Sequence, residues 1–337
     1  MSEPHSLTTY YATQLKQLPL YTKWAELIAQ EAPKFFPIEK RVHSACTGCG
    51  RRHCELAFIK NGFTYKHCNS CGSLFVSPRP TEAMLRSFYR HSRAMKFWKR
   101  EIMLSTLTIR KNFQISPLTH WLESIINRHF GNASIHAIDY TPSITTVWDT
   151  KKLMTRSTHL TLAEPLLFEK TTSVHAKGSL RIANTMQSIS GTADIITAFG
   201  VLERVYNPQD ILTTIAKKCR KNGLLLMTTN TMSGFEYQLL GGHSHRIVPP
   251  YRLNLLTIEA LQKLLTKAGF KIINCSTPGK LDAEIVASTV AQNPAIVVPE
   301  FFKYLFRRRD HTTLKSFQDF LQLSNLSSHL RIVARKM

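Results

Sequence analysis

The stretch from Asp194 to Asn230 constrains the fold more than any other part of this chain. Ile195-Ile196-Thr197-Ala198-Phe199 is short, apolar and partly β-branched, the pattern of a strand buried on both faces, and Leu224 to Thr228 reads the same way. Between them the sequence predicts a helix, with Asn207 as N-cap, Pro208 at the first helical position and Asp210 in the first turn. Ile211, Leu212, Ile215 and Cys219 form its apolar stripe. Lys217, Lys218, Arg220 and Lys221 load its last turn, and Gly223 is expected as the C-cap. Strand, loop, capped helix and strand make a crossover unit of a parallel sheet.

With 337 residues and 43% hydrophobic content, the chain suits one large or two smaller domains with a proper core. Its 44 Lys plus Arg against 22 Asp plus Glu leave a net charge of +22. Such a balance attracts anions: nucleic acid, an anionic membrane surface, or phosphorylated or acidic glycans. A uniformly basic source proteome would give the same balance, since the basic residues are spread along the chain. There is no N-terminal apolar leader and no run long enough to span a bilayer, so no transmembrane segment is expected and the expected address is cytoplasmic.

Four of the seven cysteines form two pairs, Cys46-Thr-Gly-Cys49 and Cys68-Asn-Ser-Cys71, each followed by glycine and separated by eighteen residues. Two tight knuckles with two thiolates each can close a tetrahedral Zn²⁺ site, with Cys46, Cys49, Cys68 and Cys71 as the metal ligands. Four sulfur ligands leave no open position, so such a metal is structural. A redox CxxC would open a helix in a βαβ context that is absent here. His53 and Cys54 read as bystanders. The expected organisation is an N-terminal helical arm over 1–45, a zinc ribbon over 46–76, a basic connecting helix over 77–112 and an α/β domain over 113–337.

In the arm, Leu15, Leu18, Leu20, Trp24, Leu27 and Ile28 line helical faces that Pro19, Pro33 and Pro37 are expected to break into short pieces. From Thr81 a long helix is expected, with Met84, Leu85, Phe88 and Tyr89 on one side. Residues 86–100 also bring Arg86, Arg90, Arg93, Lys96, Lys99 and Arg100, with Tyr89, Phe97 and Trp98 interleaved. Such a face suits a phosphate backbone and stacked bases, and a solvated linker helix is the competing reading. Ser116-Pro117 opens a helix carrying Leu118, Trp121, Leu122, Ile125 and Ile126, which leads to the strand Ile135–Asp139, expected as the first of the sheet. A second strand, Leu160 to Ala163, ends at Glu164. Gly241-Gly242-His243-Ser244-His245-Arg246 reads as a flexible polar lid in which His243 or His245 is a candidate general base. Thr257 caps the next helix, Phe270 to Cys275 forms a strand, and a helix around Phe317, Phe320 and Leu321 precedes a final strand with Leu330, Ile332 and Ala334 on one face. The Phe306-Arg307-Arg308-Arg309 cluster reads as solvated.

Asp194 to Phe199, Val201-Leu202-Glu203 and Asn207-Pro208 resemble the fourth-strand region of class I S-adenosylmethionine (SAM) dependent methyltransferases. Pro249-Pro250, Gly269-Phe270, Thr277 to Asp282 and Ser327 to Lys336 are similar to a bacterial subgroup with an N-terminal zinc ribbon, and the likeness runs from Cys46 to the C-terminus. The resemblance implies a Rossmann-like doubly wound α/β domain of the class I methyltransferase type with a small N-terminal zinc ribbon. It implies SAM and structural Zn²⁺ as cofactors, with a small or glycan-type acceptor. SAM would lie against Asp139, Thr141, Ser143, Glu164, Phe199 and Gly200, Glu164 taking the ribose hydroxyls.

The sequence departs from that pattern in the loop after the first strand, Tyr140-Thr141-Pro142-Ser143-Ile144-Thr145. It has no glycine where the family has several, so an altered cofactor cradle is expected. Arg204 and Arg252 stand where the subgroup is expected to have histidines. Since arginine does not give up its proton, Arg204, Tyr251 and Arg252 are candidates for holding an anionic acceptor, and Glu203 joins the two histidines as a catalytic candidate. Two alternatives stay open: a degenerate methyltransferase-like scaffold, which the glycine-free loop favours, and a zinc-ribbon RNA methyltransferase binding through residues 86–100.

Overall fold

The computed structural model describes residues 18–141, 147–148, 153, 157–163, 179–183 and 186–337. Eleven strands are described: β1 (Cys54–Lys60), β2 (Phe63–Cys68), β3 (Leu74–Val76), β4 (Ile135–Asp139), β5 (Ser157–Ala163), β6 (Ser179–Ala183), β7 (Ala193–Phe199), β8 (Cys219–Asn230), β9 (Asn254–Leu255), β10 (Phe270–Ser276) and β11 (His329–Lys336). The larger sheet has the order β10-β11-β8-β7-β4-β5-β6. β6, β5, β4, β7 and β8 run parallel, while β11 is antiparallel to both its neighbours. The strand order reverses about β4, which pairs with β5 on one side and β7 on the other. This reversal is the switch point at which a doubly wound sheet opens a crevice beyond its carboxyl ends.

The described helices are α1 (Leu18–Phe35), α2 (Glu82–His91), α3 (Arg93–Phe97), α4 (Leu107–Arg110), α5 (Ser116–Phe130), α6 (Pro208–Lys218), α7 (Phe235–Leu240), α8 (Ile258–Lys267), α9 (Asp282–Gln292), α10 (Glu300–Arg308) and α11 (His311–Leu323). Alternate residues of the central strands feed two cores, as a strand's period of two requires. Ile195, Leu224, Leu226 and Val333 pack with Leu122, Ile125 and Ile126 of α5. Ile196, Ala198, Leu225, Met227 and Ile332 pack with Leu212 and Ile215 of α6 and Leu261, Leu264 and Leu265 of α8.

The expected cap of α6 forms, the Asn207 side chain accepting from the Gln209 amide at 3.0 Å. Its far end differs from expectation. The helix stops at Lys218, Cys219 is already extended, and the left-handed residue is Asn222 at φ 63°, not Gly223. Gly223 is required by space: a Cβ there would sit 2.9 Å from the Arg220 carbonyl oxygen and 3.0 Å from that of Asp194.

Among the described residues of the arm, Leu18–Phe35 form one helix and not short pieces, while Leu15 lies outside the described residues. Pro19 lies in the first turn of α1, where no amide donor is needed, and Pro33 falls near its end. Trp24, Ile28 and Ala32 are buried, together with Phe36 just beyond the helix, in a third core shared with Phe63, Tyr65, Phe88, Trp98 and Tyr251. The expected long helix from Thr81 is likewise divided. Thr81 caps α2, but Ser92 ends it in extended conformation and caps α3 by accepting from the Met95 amide; π-helical turns cover Trp98–Leu104 and Lys111–Ile115. Tyr89 and Trp98 are 5% and 4% exposed, so two of the three aromatics expected to interleave the basic residues are not available to stack on bases.

The ribbon is joined to the α/β domain by its own sheet, whose order is β1-β2-β3-β9. Its fourth strand, Asn254–Leu255, comes from the segment leading into α8. Arg79, 1% exposed, reinforces this joint by donating to the carbonyl oxygen of Tyr206 at 2.7 Å and to Asn254 Oδ1 at 3.1 Å.

Candidate active site and metal centre

The two cysteine knuckles fold onto each other. Cys46 and Cys71 Sγ lie 3.5 Å apart, as do Cys49 and Cys68, and all four sulfurs fall within 4.8 Å of one another. A tetrahedron with Zn–S near 2.3 Å has edges of about 3.8 Å, so the donor set fits zinc in both chemistry and size. Gly50 and Gly72 close the knuckles with φ of 76° and 70°, and their amides bond back to the Cys46 and Cys68 carbonyl oxygens. Cys54 Sγ instead approaches the Arg51 carbonyl at 3.7 Å and stands outside the quartet.

At the switch point, β4 and β7 are tied together through threonines. Thr197 Oγ1 donates to Asp139 Oδ1 at 2.9 Å and accepts from Trp148 Nε1 at 3.1 Å, and Asp139 is fully buried. Thr141 Oγ1 accepts from the Phe199 amide at 3.2 Å, while Phe199 packs on Trp121. Asp139 and Thr141 therefore brace the crevice. Gly200 follows at φ 67°, a left-handed conformation that side chains resist, and leaves open the space where a Cβ would stand 3.6 Å from Arg204 Nη2. Its amide bonds to the Thr228 carbonyl, fixing this turn to β8. Ser143 and Glu164 lie outside the described residues.

The segment after Gly200 brings together the residues read as acceptor-binding. Glu203, 2% exposed, accepts at Oε1 from the Asn230 amide at 3.0 Å, and its carbonyl accepts from the Leu253 and Asn254 amides. Arg204 Cζ lies over the Tyr251 ring, 3.8 Å from its centroid, and that ring meets Trp24 and Trp98 with centroids at 5.2 and 5.3 Å. Tyr251 is thus enclosed and orients Arg204. Burial pulls the Arg204 guanidinium down. Burial also pulls Arg252 down, but Glu203, Tyr251 and Tyr237 together outweigh it and the net shift is upward. Glu203 Oε2 and Arg252 Nε are both buried without a hydrogen-bond partner. A buried acceptor and a buried donor left open at one corner are costly unless a ligand completes them.

The loop at 241–246 departs from the expected flexible lid. Lys60 Nζ, on β1 of the ribbon, donates to the carbonyl oxygens of Gly242 at 2.7 Å and Ser244 at 2.8 Å. Ser244 Oγ donates to Glu236 Oε1 at 2.6 Å, and Arg246 Nη1 lies 3.2 Å from Glu236 Oε2. A Cβ on Gly242 would stand 2.9 Å from the Phe58 ring. The ribbon therefore latches this loop, leaving the side chains of His243 and His245 exposed. Asn230 and Lys60 were not singled out in the sequence, because their roles depend on pairings far along the chain.

A seven-stranded, doubly wound sheet with its open crevice at the ends of β4 and β7, preceded by a four-cysteine ribbon, defines a class I SAM-dependent methyltransferase fold. The family model described as a methyltransferase domain matches residues 82–274, more than half of the chain. The chain belongs to this methyltransferase family, whose cofactor is SAM. No curated protein matches the sequence. Among solved structures, the chain is similar to magnesium protoporphyrin IX methyltransferase from Synechocystis PCC 6803 with bound SAH, at 10% identity and a TM-score of 0.47, covering 76% of this chain and all 100% of that one. It is also similar to the cyclopropane synthase MmaA2 from Mycobacterium tuberculosis, at 14% identity and a TM-score of 0.39, covering 64% of this chain and 84% of that one. Among the described residues no helix is long and apolar enough to cross a membrane.

Proposed function

We propose that this protein methylates a small or glycan-type acceptor carrying an anionic group. The observation that carries this reading is the corner behind Gly200, where Arg204 and Arg252 converge with Glu203 and where Glu203 Oε2 and Arg252 Nε each lack a partner. SAM supplies an electrophilic methyl group on a sulfonium. Gly200 and Phe199 would border it at the end of β7, Asp139 and Thr141 tie the two strand ends together beneath it, and Ser143 and Glu164 would supply polar contacts, Glu164 to the ribose diol. Arg252 and Arg204 hold the acceptor's carboxylate or phosphate, because a guanidinium keeps its proton and its fork matches such oxygens. Glu203 Oε2 would accept a hydrogen bond from the attacking group and take its proton as the methyl passes from the sulfonium sulfur to that group, the thioether S-adenosylhomocysteine leaving. The remaining contribution is alignment and exclusion of water. We place the reaction in the cytoplasm, in keeping with seven cysteines that form no disulfide.

Titration calorimetry of S-adenosylhomocysteine into zinc-loaded protein tests the cofactor half. Micromolar binding that Glu164→Ala and Gly200→Val each weaken at least about tenfold is expected, the latter because a β-branched residue resists φ of 67°. Absence of heat at several temperatures from folded protein would instead establish a scaffold that has lost its cofactor.

A further inference from the structure

Residues 282–323, between β10 and β11, form an insert of three helices, α9, α10 and α11. It lies beyond residues 82–274 matched by the methyltransferase model, and nothing in the methyl-transfer corner uses it. Its inner side is well packed: Val286, Ile296, Val298 and Leu321 close against Phe235 and Leu240 of α7. Its outer side is not. Val297 is 87% exposed, Phe301 63%, Tyr304 53%, Phe320 52% and Leu323 85%. Three of the four strongly exposed aromatic side chains among the described residues are therefore on this one insert, Phe113 being the other.

These side chains make one patch. Phe301 touches Phe302 with centroids at 5.3 Å, Phe302 meets Phe317 at 6.2 Å, and Phe317 stacks on Phe320 at 6.3 Å. A row of rings thus runs from α10 to α11 with its two ends in solvent. Phe301, Tyr304 and Arg308 are spaced i, i+3, i+7 and share one face of α10. Arg307, Arg308 and Arg309 follow directly; all three are exposed, and no carboxylate forms an ion pair with them among the described residues. The acids of α10 and α11 are otherwise engaged: Glu300 with Lys303 at 2.6 Å, Asp319 with Lys315 at 2.7 Å, and Asp310 in capping α11. Arg309 Nη2 donates to the Tyr304 hydroxyl at 2.9 Å, holding a cation beside the exposed ring.

We infer that this insert docks the enzyme on an anionic membrane surface, Phe301, Tyr304 and Phe320 entering the interfacial layer while Arg307, Arg308 and Arg309 meet the lipid phosphates and carboxylates. Exposed aromatic rings and three exposed arginines, on one short amphipathic helix and at its end, are the two contributions that interfacial binding requires, apolar burial and attraction to anionic lipid. A purely electrostatic partner would leave the rings unexplained, and a purely apolar one the arginines. The overall charge of +22 acts in the same direction at longer range. The inference is independent of the acceptor and of whether SAM is bound.

The test is co-sedimentation of the zinc-loaded protein with vesicles of phosphatidylcholine alone or with about 30% phosphatidylserine, at about 0.1 M salt. Binding is expected only to the anionic vesicles. Phe301→Ser/Phe320→Ser should weaken it at least about tenfold, and Arg307→Gln/Arg308→Gln by a similar factor, with circular dichroism and SAH binding unchanged. No sedimentation of the parent protein would overturn the inference. So would arginine dependence without any effect of the phenylalanines, the signature of a soluble polyanion partner. So would concentration-dependent dimerisation in solution that the phenylalanine variant abolishes, which would make the patch a contact between two copies.

Discussion

The ribbon and the buried corner behind Gly200 lie on either side of the same joint, yet they are specified differently. The ribbon's essential parts come in two four-residue motifs, Cys46 to Cys49 and Cys68 to Cys71, and each knuckle closes on a glycine next to it in sequence. The corner gathers Trp24, Trp98, Gly200, Glu203, Arg204, Asn230 and Tyr251 from all along the chain. A metal can organise a short segment by itself, whereas buried charges need partners that only the finished fold can bring. The ribbon also reaches across the joint: its sheet ends on β9 and Lys60 latches the 241–246 loop.

Breaking the ribbon should therefore have the largest effect and should not stay local. Cys68→Ser, or removal of zinc with a strong chelator, is expected to cost at least about 3 kcal/mol and to lower Tm by roughly 6–12 °C in calorimetry. Because Phe63 and Tyr65 of the ribbon share a core with Trp24 and Tyr251, near-ultraviolet circular dichroism from tryptophan should change as well. An unchanged tryptophan signal after zinc loss would show that the ribbon is a detachable unit and would undo the comparison.

Next in size comes the corner itself. Glu203→Ala leaves the Asn230 amide and the Arg252 guanidinium without their buried carboxylate and should cost about 3 kcal/mol by chemical denaturation. Glu203→Gln keeps an acceptor for the Asn230 amide and should cost about half as much. Equal losses would mean that the charge next to Arg252 contributes nothing.

The latch gives a smaller effect with a defined sign. Burial lowers the Lys60 ammonium to about 8, below its unfolded value. Between those two values the unfolded chain binds the extra proton, so this group's contribution to stability rises as pH rises from about 8 to about 10.4. The wild type should gain about 1–2 kcal/mol over that window relative to Lys60→Met, read as the difference between their Tm values against pH. A difference that stays flat would show Lys60 to be exposed in solution and the loop unlatched.

How much of this was legible depended on how local each determinant was. The cysteine quartet, the Asn207 cap and the alternation of Leu330, Ile332 and Ala334 are decided by neighbours a few residues away, and each was readable. The single helix α1 was not, because a proline in a first turn and one near a helix end look, in sequence, like breaks. Nor was the burial of Tyr89 and Trp98, which read as a basic aromatic face until α1 and Tyr251 were seen to cover them. The 241–246 loop looked like a lid because Lys60, its latch, lies far away in the ribbon.

The end of α6 isolates this lesson at a single residue step. Glycine after a basic turn signals a left-handed cap, and Gly223 was read so; the chain instead uses Asn222 for the left-handed residue and keeps Gly223 because two carbonyl oxygens crowd it. The two explanations give opposite mutational patterns. If Gly223 were the cap, Asn222→Ala would be nearly neutral. With Asn222 at φ 63°, Asn222→Ala should cost about 1 kcal/mol while Asn222→Gly is close to neutral. Gly223→Ala should cost more than either, since its Cβ would press on the Asp194 carbonyl at the start of β7 and strain the pairing that sets the central strands in register.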